Sequence, residues 1–370
     1  MTGAFSARLA VALESSGTSH LRRRRFEAYD DRPLEEMRAI AVAADRLGYE
    51  LLLMPEASGR DAFVTLADLA VRTSRIQLGT GVVNIYSRTP ASIAMAVASL
   101  DELSGKRAVL GLGTSGSALI EGWHAMSARH ALGRLREATE LIRVLLARTR
   151  AGFAGSTFRL ASGLALRFEP SRAAIPIFHG SLSPASVRQC VEIADGWLPS
   201  FISAASIRKT LDELEALIAP RRAQGGFTVA AYFPTLVTED EDWARAVMQH
   251  HVAYYVGRLG RFYREALERQ GHGDVVAAVL AALASIRPQQ AALAVPDDLL
   301  NAVCIWGSPQ RCRDHLVHIR AAGVDLPVLV LPTSASLEDC LRTLEVLAPS
   351  PSEPMTEGFE TSGTARARSD

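Results

Sequence analysis

Residues Arg60–His124 read RDAFVTLADLAVRTSRIQLGTGVVNIYSRTPASIAMAVASLDELSGKRAVLGLGTSGSALIEGWH. Asp61–Thr73 predicts a helix and Arg75–Val82 (RIQLGTGV) a strand. Thr89–Leu103, with Pro90 at its start, predicts a second helix, and Arg107–Leu112 (RAVLGL) a second strand. Helix and strand alternating over short spacings are the signature of βα units and a parallel sheet.

The rhythm extends on both sides. Upstream, Arg8–Leu13 (RLAVAL) reads as the first strand. Pro33–Leu47 is a helix with proline in its first turn and Gly48 past its end, and Tyr49–Met54 is a strand. Downstream, a helix runs from Ala131 to Arg148, and Ile175–His179 is a strand. Helix Pro184–Ala194, strand Gly196–Pro199, helix Ser203–Ala219 and strand Phe227–Val237 follow. Helix Ser308–Ala322 and strand Pro327–Leu331 end the series.

The series of roughly eight strands, each followed by helix, predicts an α/β fold, a (β/α)8 TIM barrel with insertions and no sheet edge to protect. A doubly wound sheet is the alternative, and strand count does not decide between them. Two stretches break the rhythm. In Ala151–Pro170, TFRL, ASG and LALRFE read as a surface hairpin. Asp240–Leu300 reads as two or three packed helices. The expected organisation is one barrel domain over 1–348, with insertions at 151–170 and 240–300. The polar, proline-containing run 349–370 is expected to be a disordered tail.

Lys and Arg number 40 and Asp and Glu number 40, so the net charge is zero and gives no reason to expect a nucleic acid or an acidic membrane as partner. No stretch approaches the roughly 20 apolar residues of a membrane-spanning helix. The first residues lack the charged and apolar regions of a signal peptide. Cys190, Cys304, Cys312 and Cys340 form no CxxC pair, which predicts neither a zinc site nor a dithiol motif and suits a reducing, cytoplasmic compartment. His315 and His318 lie one helical turn apart without partners for a metal, His250 and His251 cannot share a helix face, and no metal is expected.

Three segments carry a resemblance. GTG at 79–81 is followed by N-x-Y-x-R-x-P at 84–90, LDELSGKR at 100–107, LGLG-x-S-G at 110–116 and EGWH at 121–124. PIFHGSLSPASVRQCVEIADGWLP occupies 176–199 and WGSPQRCRDHLVHIRAAGV 306–324. In this order and spacing they resemble the luciferase-like family, and more narrowly its coenzyme F420-dependent oxidoreductase branch, over most of residues 35–331. The resemblance implies a barrel whose deazaflavin sits at the C-terminal mouth. It further implies a non-proline cis peptide at Gly81–Val82 backing the ring, and a homodimer.

It implies an enzyme that moves a hydride between the cofactor C5 and a small organic substrate, with a possible separate reductase supplying the reduced cofactor. The alternatives are an FMN-dependent monooxygenase using reduced flavin and O₂, and a non-catalytic ligand-binding homologue. Residues at the C-terminal ends of barrel strands face the active site. Glu56, Glu121 and His124 are the candidate catalytic groups. Met54-Pro55-Glu56 stands where several relatives carry Asp-His, so Glu56 is the substitute acid or base. A carboxyl beside an apolar ring system has its pKa raised. Otherwise Glu56 caps a helix or pairs with Arg60.

Gly81, Val82, Asn84, Arg88, Ser115, Gly116, Gly180, Ser181 and Leu182 are the candidate cofactor-binding residues, and Trp123 and Tyr86 the substrate pocket. Arg88 anchors an anion or pairs with an acid at the rim. The segment 179–184 joins a strand end to a helix start, where backbone N–H groups favour anions. Arg22–Arg25 reads as a solvated loop or helix face or, lying after the first strand, as a patch that would attract an anionic cofactor tail.

Overall fold

The computed structural model describes residues 8–14, 32–285 and 288–349. The expectations for Arg22–Arg25 and for most of the tail lie outside the described residues.

Eight parallel strands form the barrel. They are β1 (Ala10–Leu13), β2 (Leu51–Met54), β3 (Gln77–Thr80), β4 (Ala108–Gly113), β5 (Ile177–His179), β6 (Gly196–Trp197), β7 (in two parts, Thr228–Val229 and Tyr232–Val237) and β8 (Val328–Leu331). Each pairs with the next in chain order, and β8 pairs with β1, Leu331 beside Leu13. The interruption in β7 does not open the circle. Ala230 N–H donates to Trp197 O and Tyr232 N–H to Pro199 O, both at 2.8 Å, while Ala231 O accepts from Val328 N–H at 2.8 Å. A closed ring of parallel strands settles the choice left open above in favour of the barrel.

Side-chain alternation divides the core. Ala10 and Ala12 of β1 point inward with Leu51, Leu53, Val109, Phe178, Leu198, Ala230, Val328 and Val330. Val11, Leu13, Leu52, Met54, Leu78 and Leu110 point outward against the helices. This is the two-residue period of a strand buried on both faces. Val82 and Tyr232 pack on the inner cluster as partly buried residues and form the floor of the mouth.

The helices begin and end where their caps sit. Gly48 closes Leu34–Leu47 at φ 84°, and Asp61, Thr89, Ser183 and Ser308 cap the helices that follow them. Several expectations need correction. The predicted helix Ser203–Ala219 is two helices, Ala204–Glu213 and Glu215–Ala223, divided at Leu214, where ψ is 13°. The hairpin pairs Phe153–Ala154 with Arg159–Leu160 and not with the later apolar run. Its turn is set by Glu137, whose carboxylate accepts from the N–H groups of Ser156, Thr157 and Phe158. The 240–300 insertion holds four α-helices, Glu241–Arg258, Arg261–Arg269, Gly273–Ala284 and Asp297–Val303. Gly260 and Gly271, at φ 103° and 91°, turn the chain between the first three. Strand Ile305–Gly307, on β7, and helix Leu337–Val346 were not expected.

Candidate active site

The mouth is built by the residues just past each strand. After β1 comes Glu14, only 3% exposed. Its Oε2 accepts from Thr333 N–H at 3.1 Å, and its Oε1 lies 3.4 Å from His251 Nδ1. Burial pushes the Glu14 carboxyl up to about 8, against the Thr333 amide, the Arg32 charge and the Tyr255 hydroxyl, which favour the anion. Burial lowers His251 to about 3. Burial thus favours the uncharged form of each, a carboxylic acid beside a neutral imidazole.

Aromatic rings surround this acid. His251 stacks on Tyr255 with centroids 4.7 Å apart, and Tyr255 meets Phe201 at 4.6 Å and Tyr263 at 5.0 Å. Three of the four come from the insertion, which grips the mouth at several points. Arg269 donates to Leu182 O, Gln270 bonds both Ser203 N–H and Phe201 O, and Leu259 O would stand 3.3 Å from a Cβ on Gly116.

Across the mouth, the Gly81–Val82 peptide is cis. Tyr232 reaches over from β7 and its hydroxyl donates to Gly81 O at 3.1 Å. A Cβ on Gly81 would lie 2.3 Å from that hydroxyl. The Val82 side chain turns toward β4 and β5. A Cβ on Gly113 would meet its Cγ2 at 2.6 Å, and one on Gly180 its Cγ1 at 3.3 Å. The glycines make room for Val82, a packing role beside the anion-binding one expected of Gly180.

The other expected residues divide. Asn84 Oδ1 accepts from Tyr86 N–H and Ser87 N–H, and its buried Nδ2 has no partner among the described residues. The same holds for the hydroxyl of buried Ser181. Asn84 and Ser181 lie at adjacent strand ends, because Asn84 pairs with Gly113 and Gly180 N–H donates to Leu112 O. Ser115, at φ 55°, and Gly116 lead into the short helix Ser117–Gly122.

Glu56 and Arg88 occupy each other. Arg88 bonds both oxygens of Glu56 and also Asp61, and Ala62 N–H donates to Glu56 Oε2 at 2.9 Å. The partner of Glu56 is thus Arg88 rather than Arg60, which donates to Arg32 O. Tyr86 is buried, its hydroxyl donating to Ala128 O. Glu121 accepts from Ala128 N–H at 3.4 Å, Trp123 is 64% exposed on the rim, and His124 Nε2 is buried without a partner among the described residues. These three share one rim segment on the far side of the Gly116 turn from the strand.

Sequence reasoning did not single out Glu14, Tyr232 or Tyr255, and it placed His251 among the structural histidines. The signal for Glu14 was present: it is the first ionisable residue after an apolar strand, where a barrel places its chemistry. Among the described residues no cluster of His, Cys, Asp and Glu is placed to hold a metal, and no helix is long and apolar enough to cross a membrane.

The family model described as luciferase-like monooxygenase matches residues 13–326. The chain belongs to the luciferase-like monooxygenase family. Within it, a protein of Mycobacterium tuberculosis provisionally named a coenzyme F420-dependent oxidoreductase is 34% identical over 325 residues, 83% of this chain and 94% of that protein. The 5,10-methylenetetrahydromethanopterin reductase of Archaeoglobus fulgidus is 30% identical, covering 72% of this chain and 80% of its own. Among solved structures, the coenzyme F420-dependent tetrahydromethanopterin reductase of Methanopyrus kandleri superposes with a TM-score of 0.77 at 21% identity, covering 93% of this chain and 98% of that one. This last likeness concerns the luciferase-like barrel itself.

Proposed function

We propose that this luciferase-like oxidoreductase uses coenzyme F420 to move a hydride to or from a small organic substrate, with Glu14 supplying or receiving the accompanying proton. The observation that carries the reading is the buried Glu14 acid facing the mouth across from the Gly81–Val82 cis peptide. The relatives named for F420 use support the choice of cofactor. The residues fit such a group. Asn84 Nδ2 and Ser181 Oγ are buried donors with no partner among the described residues, and the glycines at 113 and 180 leave a flat cradle around Val82.

When bound, the deazaflavin carries the hydride at its C5. The chain does the rest. Gly81 and Val82 back the ring, and Tyr232 holds the Gly81 carbonyl in place. Asn84, Ser181 and the amides of Ser115 and Gly116 take polar edges of the cofactor. Phe201, Tyr255 and Tyr263 surround the Glu14 carboxyl with ring faces. Glu14 delivers its proton from Oε1, the oxygen with no hydrogen-bond partner among the described residues. Proton transfer by a positioned carboxyl works best when its pKa lies near the working pH, and burial brings Glu14 to about 8.

The test is a fluorescence titration of the purified protein with F420 and, in parallel, FMN. Tight F420 binding with weak FMN binding is the expected result. Preference for FMN would replace the reading by the flavin monooxygenase one, to be followed by oxygen-uptake assays. A homodimer is part of the same proposal. It is supported by exposed Val64 on helix Ala62–Ala70, exposed Val71 just past its end, and exposed Met95 on the neighbouring helix Pro90–Leu103. Sedimentation equilibrium of the protein and of Val64→Asp separates dimer from monomer.

A further inference from the structure

Four buried polar atoms belong to residues that meet where the first and last barrel strands end. They are Glu14 Oε1, Arg32 Nε, Thr333 Oγ1 and Ser334 Oγ, and none has a hydrogen-bond partner among the described residues. All four residues are buried. Their backbones are neighbours: β1 and β8 run in register to Leu13 and Leu331, and Thr333 N–H donates to Glu14 Oε2. Arg32 Nη2 donates to Pro332 O at 2.8 Å and Ala335 O at 3.4 Å, which seats the guanidinium in the same turn.

An unmade bond on a buried polar atom costs on the order of 1–3 kcal/mol. Native proteins satisfy such atoms with protein partners or with ordered water. Four on neighbouring residues call for an occupant that both donates and accepts. Hydroxyls and a carboxyl can do either, while the arginine N–H only donates. Water matches this set, since a buried water typically makes about three hydrogen bonds.

The chemistry of Glu14 gives that water a task. Once a buried carboxyl has released its proton, it must be recharged. Among the described residues, the groups that bear on it cannot serve. The His251 imidazole is neutral, held near 3 by burial. The Tyr255, Tyr263 and Tyr232 phenols are pushed up by burial and keep their protons. Arg32 is paired with Glu36 at 2.8 Å and held by the Pro332 and Ala335 carbonyls as a hydrogen-bond donor only.

We propose that Glu14, Arg32, Thr333 and Ser334 enclose a pocket of ordered water that relays protons between solvent and the Glu14 carboxyl. This deepens the reading above and rests on Glu14 being the proton-transfer group. In the reducing direction Glu14 gives its proton to the substrate and becomes a carboxylate. A pocket water then transfers a proton to Oε1 and takes one from the next water. The net change is one proton moved from solvent to substrate, with Glu14 and the waters restored. The oxidising direction runs the same steps backwards. Arg32, Thr333 and Ser334 are positioning residues that hold the water.

The test is a pH titration of the Glu14 carboxyl by NMR, in the full chain labelled with carbon-13 glutamate and without any cofactor. Thr333→Val and Ser334→Ala each remove one hydroxyl and leave the Thr333 backbone N–H on Glu14. In each, the Glu14 midpoint is expected to rise by about one pH unit, the tenfold change that losing one hydrogen bond to the anion produces. Thr333→Ser, which keeps the hydroxyl, is expected to restore it. Proton exchange of the carboxyl with solvent is expected to slow in both variants. Wild-type midpoints and exchange rates in Thr333→Val and Ser334→Ala would overturn the proposal, and if one variant fails to fold the other decides. No cofactor is present, so the result stands apart from the F420 titration. A dry pocket with tight F420 binding sinks the relay alone, and a wet pocket without F420 binding sinks the cofactor alone.

Discussion

Glu14 and Glu56 lie one and two residues past the ends of neighbouring strands, yet their surroundings differ in kind. Glu56 is locked by Arg88 on both oxygens and by Ala62 N–H, with Asp61 sharing the arginine. Glu14 has one backbone amide, a neutral histidine and a ring of phenols. Both carboxyls are at the mouth, but only Glu14 has an oxygen without a hydrogen-bond partner among the described residues. A carboxyl with saturated partners builds the wall, and a carboxyl with too few is able to exchange a proton. Position on the barrel nominates an acid, and its partners decide its task.

The sharpest way to break this contrast is Glu14→Gln. The amide keeps the shape and cannot transfer the proton. Turnover with reduced F420 and a substrate found by screening is expected to fall about 10²–10⁴-fold, the usual contribution of general acid–base catalysis, with F420 affinity retained. Unchanged kcat would return Glu14 to the structural residues.

Next comes pH. The folded value of Glu14, about 8, lies above its ordinary 4.5. Between these values the folded chain holds a proton that the unfolded chain has lost, so this residue's contribution to stability declines as pH rises from 4.5 to 8 and levels off above. Urea unfolding of wild type and Glu14→Gln across that range should show the gap growing in favour of the variant, then becoming constant. A gap independent of pH would mean that Glu14 titrates normally.

Arg88→Ala tests the other carboxyl. It leaves Glu56, whose side chain is 9% exposed, without its cation. A loss of about 2 kcal/mol of stability is expected, less than for a fully buried pair because the arginine is partly solvated. Thermal unfolding reads it, and an unchanged Tm would make the pair a surface contact. The smallest effect is expected from Tyr232→Phe, which removes one hydrogen bond to Gly81 O. Stability should fall by about 1 kcal/mol, and F420 should bind several-fold more weakly in the fluorescence titration. Equal binding would detach Tyr232 from the cofactor side of the mouth.

Much of the barrel was legible because its signals are local. Pro33, Gly48, Thr89 and Pro90 mark helix ends by their own backbone chemistry. Strand count alone left closure open, because the bonds from β8 to β1 and from β7 to β6 join residues far apart in the chain, and the family resemblance supplied it. The hairpin was misread because its turn depends on Glu137, which is distant in sequence. On the site, the cis peptide at Gly81–Val82 lies where the family resemblance implied. Glu14 stands upstream of the matched motifs, and His251 and Tyr255 sit in an insertion that resembles little, so neither motif nor period marks them. Their meeting is a product of tertiary packing alone.

The roof over the mouth comes from one unbroken run of chain. His251, Tyr255, Leu259, Tyr263, Arg269 and Gln270 follow one another between β7 and β8, and through them the run touches the ends of β1, β4, β5 and β6. A surface of this kind can be exchanged as a cassette. Lengthening or replacing it re-registers no strand and leaves the Val82 cradle untouched, so descendants of one barrel can keep the same redox partner while trading one small molecule for another.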